Sequence, residues 1–220
     1  MSSFPRMAAG LPLSLLASLA TAQQIGTMIP EVHPKLPTYM CTKADGCVER
    51  ATTLVTDALS RPFHMVGSPD VSCSAPLELM STPMPTGDNS TAMACSDPVS
   101  CAQSCALEGI EYGSIGVLTS GSALTLRQYL FDGQDYKKVS PRVYLLAEDE
   151  MNYEMMQLVN KELTYDVDLS QLVCGMNGAL YLSEMEASGS RSDSNPAGAA
   201  YGTGYCDAQC FDVPWINGLV

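Results

Sequence analysis

Acidic residues two positions apart recur in the second half of this chain and are the first candidates for chemistry. The pairs are Glu148 with Glu150, Asp166 with Asp168, and Glu184 with Glu186. On a β-strand, residues two apart share one face. Two carboxyl groups that face each other about 5 to 5.5 Å apart can hydrolyse a glycosidic bond with retention of configuration. The alternative is that each pair lies on an ordinary solvated face, which the residues alone favour.

Serine, phosphate and zinc chemistry find less support. The sequence has no Gly-x-Ser-x-Gly elbow, no Walker loop, no dinucleotide fingerprint and no Cys-x-x-Cys, and these are the motifs on which such sites are usually built. The two histidines, His33 and His64, are expected to cap turns or bond loop carbonyls. We therefore expect no zinc site and no serine triad.

Strand patterns would have to position the acidic pairs. Residues 116–126 have apolar and β-branched residues on both sides of Ser120-Gly121-Ser122, which predicts a hairpin. Short strands are also predicted over 143–146, 163–169 and 179–185. In 163–169 the apolar residues fall at every second position, which indicates one buried side. Several strands with few helices favour an all-β sandwich.

The N-terminal part of the chain looks different. Residues 1–22 have an apolar centre and small residues before Gln23, which is typical of a secretory signal peptide. From 23 to about 100 the chain is rich in Pro, Gly, Ser and Thr, which predicts loops and short strands, and a short helix is predicted within 95–109. We expect no independent domain in that stretch, and we expect residues 23–220 to be exported as part of one domain.

The charge balance excludes some partners. With 24 acidic and 11 basic residues, the formal net charge is −13. Nucleic acid is not expected as a partner, because phosphate binding needs clustered Lys and Arg. No later stretch has the roughly 20 apolar residues of a membrane helix, so no membrane association is expected. We expect a monomer with a neutral ligand.

All nine cysteines follow the predicted leader and should be oxidised after export. Cys41 and Cys47 bracket a short polar loop. Two more bridges are expected within one group, which comprises Cys73, Cys95, Cys101 and Cys105. Three cysteines, Cys174, Cys206 and Cys210, are left unpaired, and we expect their partners to lie further along the protein. A glycosylation sequon begins at Asn89.

Several blocks of the sequence resemble glycoside hydrolase family 7, the fungal cellulases. In chain order the resemblance is carried by Gln23-Gln24, Pro30–Leu36, Cys41–Cys47, Cys95-x5-Cys-x3-Cys105, Thr119–Ser122, Ser140–Leu146, Tyr165–Asp168, Cys174–Tyr181 and Tyr201–Cys210. The match covers essentially all of the chain beyond the leader.

This resemblance implies a fold and a function. The fold is a concanavalin-like β-jelly-roll sandwich, here incomplete, loop-rich and linked by disulfides, whose concave sheet lines a cellulose groove. The implied activity is retaining hydrolysis of β-1,4-glucosidic bonds. Four residues are implied to face the groove and bond sugar hydroxyls: Asn177, Tyr181, Asp207 and Gln209.

Departures from the family pattern refine this expectation. Residues 57–64 lack the tryptophans of the tunnel-forming cellobiohydrolases, and 210–218 lacks their lysine. Both departures resemble the open-cleft endoglucanases. Trp215 is expected either to stack on glucose or to anchor the sandwich. The Glu-x-Asp-x-x-Glu strand that supplies the family's catalytic acids is not found in the sequence.

We therefore expect the N-terminal portion of a secreted endo-β-1,4-glucanase that acts on cellulose or another β-1,4-glucan without a cofactor and is inactive by itself. One alternative is a glucan-binding fragment that does not cut its ligand. Another is a truncated product that does not fold stably, since half a sandwich leaves strand edges uncovered.

Overall fold

The computed structural model describes residues 24–73 and 102–206, which fold almost entirely as strands and loops. The strands are β1 (Gln24–Ile25), β2 (Thr38–Thr42), β3 (Gly46–Arg50), β4 (Thr53–Thr56), β5 (Phe63–Met65), β6 (Ser68–Ser72), β7 (Cys105–Leu107), β8 (Val117–Ser120), β9 (Ala123–Leu126), β10 (Tyr129–Phe131), β11 (Tyr136–Lys138) and β12 (Val143–Leu146). Helical structure in these residues consists of 102–104 and the 3-10 turns Ala58–Ser60, Tyr112–Ile115 and Gly198–Tyr201. The all-β class predicted from the sequence is confirmed.

The strands form one larger sheet and several pairs. The larger sheet has four strands in the order β1-β7-β5-β6, in which β1 pairs with β7 in parallel and the other pairs are antiparallel. Three pairs are local hairpins: β2 with β3, β8 with β9, and β10 with β11. The remaining pair joins β4 to β12, which are far apart in sequence.

Two of the strand predictions are confirmed and two are wrong. The 116–126 hairpin forms as β8 and β9, with Gly121 at φ 56 in its two-residue turn, as such a turn requires. Strand 143–146 is β12. Residues 163–169 and 179–185 contain no strand, and apolar side chains at 163, 165, 167 and 169 are 39–61% exposed. A strand needs a hydrogen-bonding neighbour, and these segments have none among the described residues.

The core is organised around β4, whose four residues are all buried. Leu54 packs with Ile110, Tyr112 and Val117 on one side. Its neighbour Val55 points the other way, as strand geometry requires, and packs with three further residues, Leu146, Tyr153 and Ala199. A third cluster lies around Phe63, Leu107 and Tyr201. Because β4 is buried on both faces, the residue that follows it, Asp57, starts from a fixed position.

Buried charged groups on and next to the four-stranded sheet join distant parts of the chain. Glu108 is only 2% exposed. Its carboxylate accepts from the backbone N–H groups of Met28 and Ile29 at 2.9 and 3.0 Å and contacts His64 Nε2 at 2.8 Å. The other ring nitrogen of His64 lies 3.0 Å from the Met65 carbonyl oxygen. Since both partners of the ring only accept hydrogen bonds, His64 satisfies both when it is protonated.

A second buried pair lies beside the first. The Arg61 guanidinium donates to both carboxylate oxygens of Glu31, at 2.5 and 2.8 Å, and to the Tyr201 carbonyl at 2.9 Å. His33 bonds a carbonyl of the 3-10 turn Gly198–Tyr201, that of Ala200, at 2.8 Å. A bond to a turn or loop was expected of both histidines, but the buried pairing of His64 with Glu108 was not. The first pair joins the N-terminal segment to β5, and the second joins it to the 3-10 turn at Gly198–Tyr201.

The Glu108–His64 pair makes the folding stability depend on pH. Burial lowers the pKa of His64, but the Met65 carbonyl and Glu108 raise it by more, so the net pKa lies above the ordinary 6.5. For Glu108 burial raises the pKa, and the Ile29 amide, His64 and the Met28 amide lower it below the ordinary 4.5. The stabilisation by His64 is complete below pH 6.5 and is lost as the pH rises through its folded-state pKa. That by Glu108 is complete above pH 4.5 and is lost as the pH falls through its own.

We therefore expect this pair to stabilise the fold most between about pH 4.5 and 6.5. Urea denaturation at pH 5.5 and pH 8 measures the effect. The variant His64→Gln should lose part of the difference in unfolding free energy between the two pH values. Equal differences in variant and unsubstituted protein would contradict the assignment.

The structure shows which of several cysteines are disulfide-bonded and which is free. Cys41 is bonded to Cys47 and Cys73 to Cys105, while Cys174 is free and exposed. Cys206 is also disulfide-bonded, so the expectation that it is unpaired is wrong. Its partner lies outside the described residues, and spacing along the sequence could not reveal it because a disulfide requires only that the two Cα atoms approach in space. Cys95, Cys101, Cys210 and the sequon at Asn89 also lie outside the described residues.

Candidate functional site

Tyr181 is the predicted site residue that the structure places among other functional groups. Its ring is 55% exposed, and its hydroxyl lies 3.2 Å from the hydroxyl of Tyr205. Asn177 is exposed on the same segment, where its backbone carbonyl accepts from Gln128 Nε2 at 2.5 Å. The segment is not a strand, so strand periodicity does not put Asn177 and Tyr181 on one face. Asp207, Gln209 and Trp215 lie outside the described residues.

A set of polar and aromatic side chains lies next to Tyr181, and we call it the Arg142 cluster: Asp57, Arg142, Tyr144, Tyr181 and Tyr205. The Arg142 guanidinium lies over the Tyr205 ring, 4.4 Å from its centroid, and Arg142 Nη1 is 3.6 Å from Asp57 Oδ2. The hydroxyl of Tyr144 donates to the same Asp57 oxygen. The rings of Tyr144 and Tyr205 are 5.6 Å apart.

The pairing of β4 with β12 positions the centre of this cluster. Thr56 is opposite Val143 in the ladder, and the next residues outward are Asp57 and Arg142. The Asp57 N–H donates to the Arg142 carbonyl at 3.0 Å. The Asp57 side chain also accepts from the Leu59 N–H and so caps the 3-10 turn that follows. Asp57 is therefore held by two backbone contacts, to the Arg142 carbonyl and to the Leu59 N–H. These contacts do not depend on the pairing of its carboxylate with the Arg142 guanidinium.

Tyr205 is positioned by the 3-10 turn Gly198–Tyr201. The Ala58 N–H donates to the Gly202 carbonyl at 3.1 Å, which joins the end of that turn to the residue after Asp57. Gly202 approaches so closely that a Cβ there would lie 2.0 Å from the Thr56 carbonyl oxygen. Beyond it, the Thr203 carbonyl accepts from the hydroxyl of Tyr153 at 2.6 Å. The chain from 202 to 205 is thus held against β4 and β12.

The electrostatics of the cluster raise the pKa of both Tyr144 and Arg142. Burial raises the pKa of Tyr144, and the charge of Asp57 raises it further, so the phenol keeps its proton. For Arg142 burial lowers the pKa, but a hydrogen bond with Tyr144 and the charges nearby raise it by more. Arg142 therefore remains a cation.

One side of the cluster is buried and the other faces solvent. Asp57 is 6% and Tyr205 8% exposed, whereas the Arg142 side chain is 44% exposed. The buried groups hold Arg142 and Tyr181, which present N–H donors, a hydroxyl and an aromatic ring to solvent. Such a combination suits a neutral ligand with many hydroxyl groups, because it offers hydrogen bonds and an apolar surface together.

The three acidic pairs are not combined into a catalytic arrangement. Glu148 lies 3.4 Å from Arg50 Nε, and Glu150 is 3.4 Å from His33 Nδ1. Asp168 accepts from the Ser170 N–H at 2.9 Å, which lowers its pKa. The other three acids, Asp166, Glu184 and Glu186, are exposed. In residues 24–73 and 102–206 these pairs serve as solvated or turn-stabilising groups.

No metal centre or membrane span is found in the described part of the chain. Among those residues, three or more His, Cys, Asp or Glu side chains are nowhere grouped to hold a metal ion. Likewise, the described residues contain no helix that is long and apolar enough to cross a bilayer.

Comparisons with known proteins agree with one another. A model of "Glycosyl hydrolase family 7" matches residues 25–220. The chain is 55% identical, over 94% of its length, to a probable endo-beta-1,4-glucanase celB of Aspergillus terreus, and covers 47% of that protein. It is 47% identical to the endoglucanase EG-1 of Hypocrea jecorina, over 93% of this chain and 42% of the relative.

A solved structure shows the same relationship in three dimensions. The Humicola insolens endocellulase EGI superimposes with a TM-score of 0.71 at 43% identity, over 89% of this chain and 46% of that one. This chain thus spans about half the length of the relatives it matches. Its strands form part of the sandwich that those enzymes share. The sequence resemblance is confirmed, and the chain belongs to glycosyl hydrolase family 7.

Proposed function

We propose that this chain forms substrate-binding surface of a secreted endo-β-1,4-glucanase that hydrolyses cellulose or a related β-1,4-glucan with retention. The observation that carries the proposal is the Arg142 cluster in a member of this family. In this cluster the buried side chains of Asp57 and Tyr205 contact the exposed side chains of Arg142 and Tyr181. The N–H groups of Arg142 and the hydroxyl of Tyr181 can then bond sugar hydroxyls. The relatives named above are a probable endo-beta-1,4-glucanase and an endoglucanase; both names support the endo mode of attack, and the first supports the linkage.

The proposal assigns to the described residues the binding of the glucan and not the cleavage of the bond. Retaining hydrolysis uses one carboxylic acid to protonate the leaving oxygen and a second carboxylate as nucleophile. Among the described residues the acids of these pairs either bond other partners or are exposed. Asn177, Asp207 and Gln209 are proposed as further sugar-binding residues, on the family resemblance alone.

The proposed function is tested with the protein expressed from its full reading frame. Release of reducing ends from carboxymethyl cellulose, with a rapid fall in viscosity, is expected of an endo-acting enzyme. Calorimetry with cellotetraose measures binding separately. Binding without release would favour a glucan-binding protein, and neither heat nor reducing ends would overturn the proposal.

Export is part of the same proposal. The leader, residues 1–22, lies outside the described residues, and the secreted protein is proposed to begin at Gln23. Mass spectrometry of the N-terminal peptide of the protein from culture medium checks this directly, whether Gln23 is free or cyclised to pyroglutamate. A protein that stays in the cell, or that keeps residues 1–22, would contradict it.

We expect Arg142→Ala to weaken cellotetraose binding by about tenfold or more, since a hydrogen bond from a charged group contributes about 1.5 to 3 kcal/mol. Tyr181→Phe should weaken it less, because only one hydroxyl is removed. Calorimetry measures both. Arg50→Ala is the matched control, because Arg50 is a partly exposed arginine paired with Glu148 and Glu154. If it lowers the affinity as much as Arg142→Ala does, the cluster is not the binding site.

A further inference from the structure

The hairpin of β10 and β11 carries three exposed aromatic rings, which we call the aromatic strip: Tyr129, Phe131 and Tyr136. These side chains are 41%, 59% and 69% exposed. Phe131 and Tyr136 are direct partners in the ladder, and their ring centroids are 5.2 Å apart. Large exposed rings gathered on one hairpin are unusual on a surface that has no ligand to bind.

The three rings share one face of the hairpin. Tyr129 and Phe131 are two residues apart on β10, about 6.8 Å along the strand, and Tyr136 is opposite Phe131. Lys138, opposite Tyr129, joins the same face. Leu130 and Lys137 are the next pair in the ladder and take the other face. The rings thus form a row that has a hydroxyl at Tyr129 and at Tyr136 and an ammonium group beside it.

The turn of the hairpin is fixed by its own hydrogen bonds. The Asp132 side chain accepts from the N–H groups of Gln134 and Asp135, both at 2.9 Å. The Asp132 N–H in turn donates to the Asp135 carbonyl at 3.1 Å, and Gly133 has the positive φ of 103 that the turn needs. The rings are therefore held in place before any ligand arrives, which lowers the entropy lost on binding.

Both ends of the hairpin are attached to the proposed binding surface. At the start, Gln128 Nε2 donates to the carbonyl of Asn177. At the end, β11 stops at Lys138, and four residues later comes Arg142, which stacks on Tyr205. The aromatic strip is thus connected to Arg142 through the chain, and through a hydrogen bond to the segment that carries Tyr181.

We propose that the aromatic strip is an additional binding site for a β-1,4-glucan chain, one that holds sugar units lying beyond those bound at the Arg142 cluster. This inference rests on the proposed function. A β-1,4-linked glucose ring has its hydroxyls around the edge and only C–H groups on its two faces, so it can lie flat on an aromatic ring. The hydroxyls at the edge then remain free to bond Tyr129, Tyr136 and Lys138.

The test is retardation of the full chain in native gels that contain hydroxyethyl cellulose, compared with calorimetry on cellotetraose. We expect Phe131→Ala/Tyr136→Ala to weaken binding of the polymer by about tenfold, because each aromatic contact contributes a few-fold. Binding of the short cellotetraose at the Arg142 cluster should change by less than about twofold. The aromatic variant Phe131→Tyr/Tyr136→Trp should bind the polymer as well as the unsubstituted chain.

Two controls make the outcomes distinct. Tyr39→Ala removes a tyrosine that is 54% exposed on another hairpin, and Lys137→Ala alters the opposite face of the same hairpin; neither should change retardation. Circular dichroism verifies that each variant folds. Equal retardation of the double alanine variant and the unsubstituted chain would overturn the proposed role of the aromatic strip and leave the proposed function intact.

Other outcomes are equally decisive. If the unsubstituted chain binds neither the polymer nor cellotetraose, the proposed function is wrong, and so is the glucan-binding role of the aromatic strip. If sedimentation shows a dimer that Phe131→Ala/Tyr136→Ala dissociates, the strip binds a second copy of the chain, and the glucan assignment is overturned.

Discussion

Replacing Glu108 by alanine is expected to lower the unfolding free energy by about 3 to 5 kcal/mol, the cost of removing one partner of a buried ion pair. The carboxylate accepts hydrogen bonds from the backbone N–H groups of Met28 and Ile29 and contacts the His64 ring. Without it, two N–H groups and a buried cation lose their partner together. Arg61 beside it cannot replace the carboxylate, because it is a cation that already bonds Glu31.

Urea denaturation at pH 5.5 measures this loss. Glu111→Ala is the matched control. The Glu111 carboxylate also accepts hydrogen bonds from two backbone N–H groups, those of Gly113 and Ser114, but Glu111 is exposed. Loss of such a cap should cost about 0.5 to 2 kcal/mol. Glu108→Gln, which keeps the shape and one acceptor, should fall between the two. A Glu108→Ala protein no less stable than Glu111→Ala would show that burial adds nothing at this position.

The sequence was sufficient to predict structure that depends on local contacts. The β8–β9 hairpin follows from the turn at Gly121 between two β-prone arms, and both arms pair with each other. Where pairing must come from a distant segment, prediction failed. Residues 163–169 have the alternation of a strand, yet no described strand pairs with them. Periodicity shows which side chains could be buried, but not what will cover them.

The candidate site was predicted in part for the same reason. Tyr181 was identified because the family resemblance implied it. Asp57 and Arg142 are 85 positions apart in the sequence, and they meet only because β4 and β12 pair in the register that sets Thr56 opposite Val143. No spacing along the chain reports such a register. The Glu108–His64 pair was missed likewise, since each residue considered alone is an ordinary loop or strand residue.

Gly202→Ala is expected to be the most damaging small substitution at the site, with a loss of about 4 kcal/mol or more. Gly202 has φ 76, a conformation that costs an alanine about 1 to 2 kcal/mol. In addition, the new Cβ would lie 2.0 Å from the Thr56 carbonyl oxygen, a backbone atom of the buried strand β4. The 3-10 turn would have to move away from β4, and the hydrogen bond from the Ala58 N–H to the Gly202 carbonyl would be lost.

A matched glycine separates the two causes. Gly67 has nearly the same φ, 78, and a Cβ added there would have no other atom within 4 Å. Gly67→Ala therefore carries the conformational cost alone, and the difference in thermal unfolding between the variants measures the close approach at Thr56. Because Tyr205 follows three residues after Gly202, cellotetraose affinity should also fall in Gly202→Ala and stay unchanged in Gly67→Ala. Equal stability of the two variants would mean that β4 and the turn can separate freely, and the Arg142 cluster would then lack the rigid support on which its binding role depends.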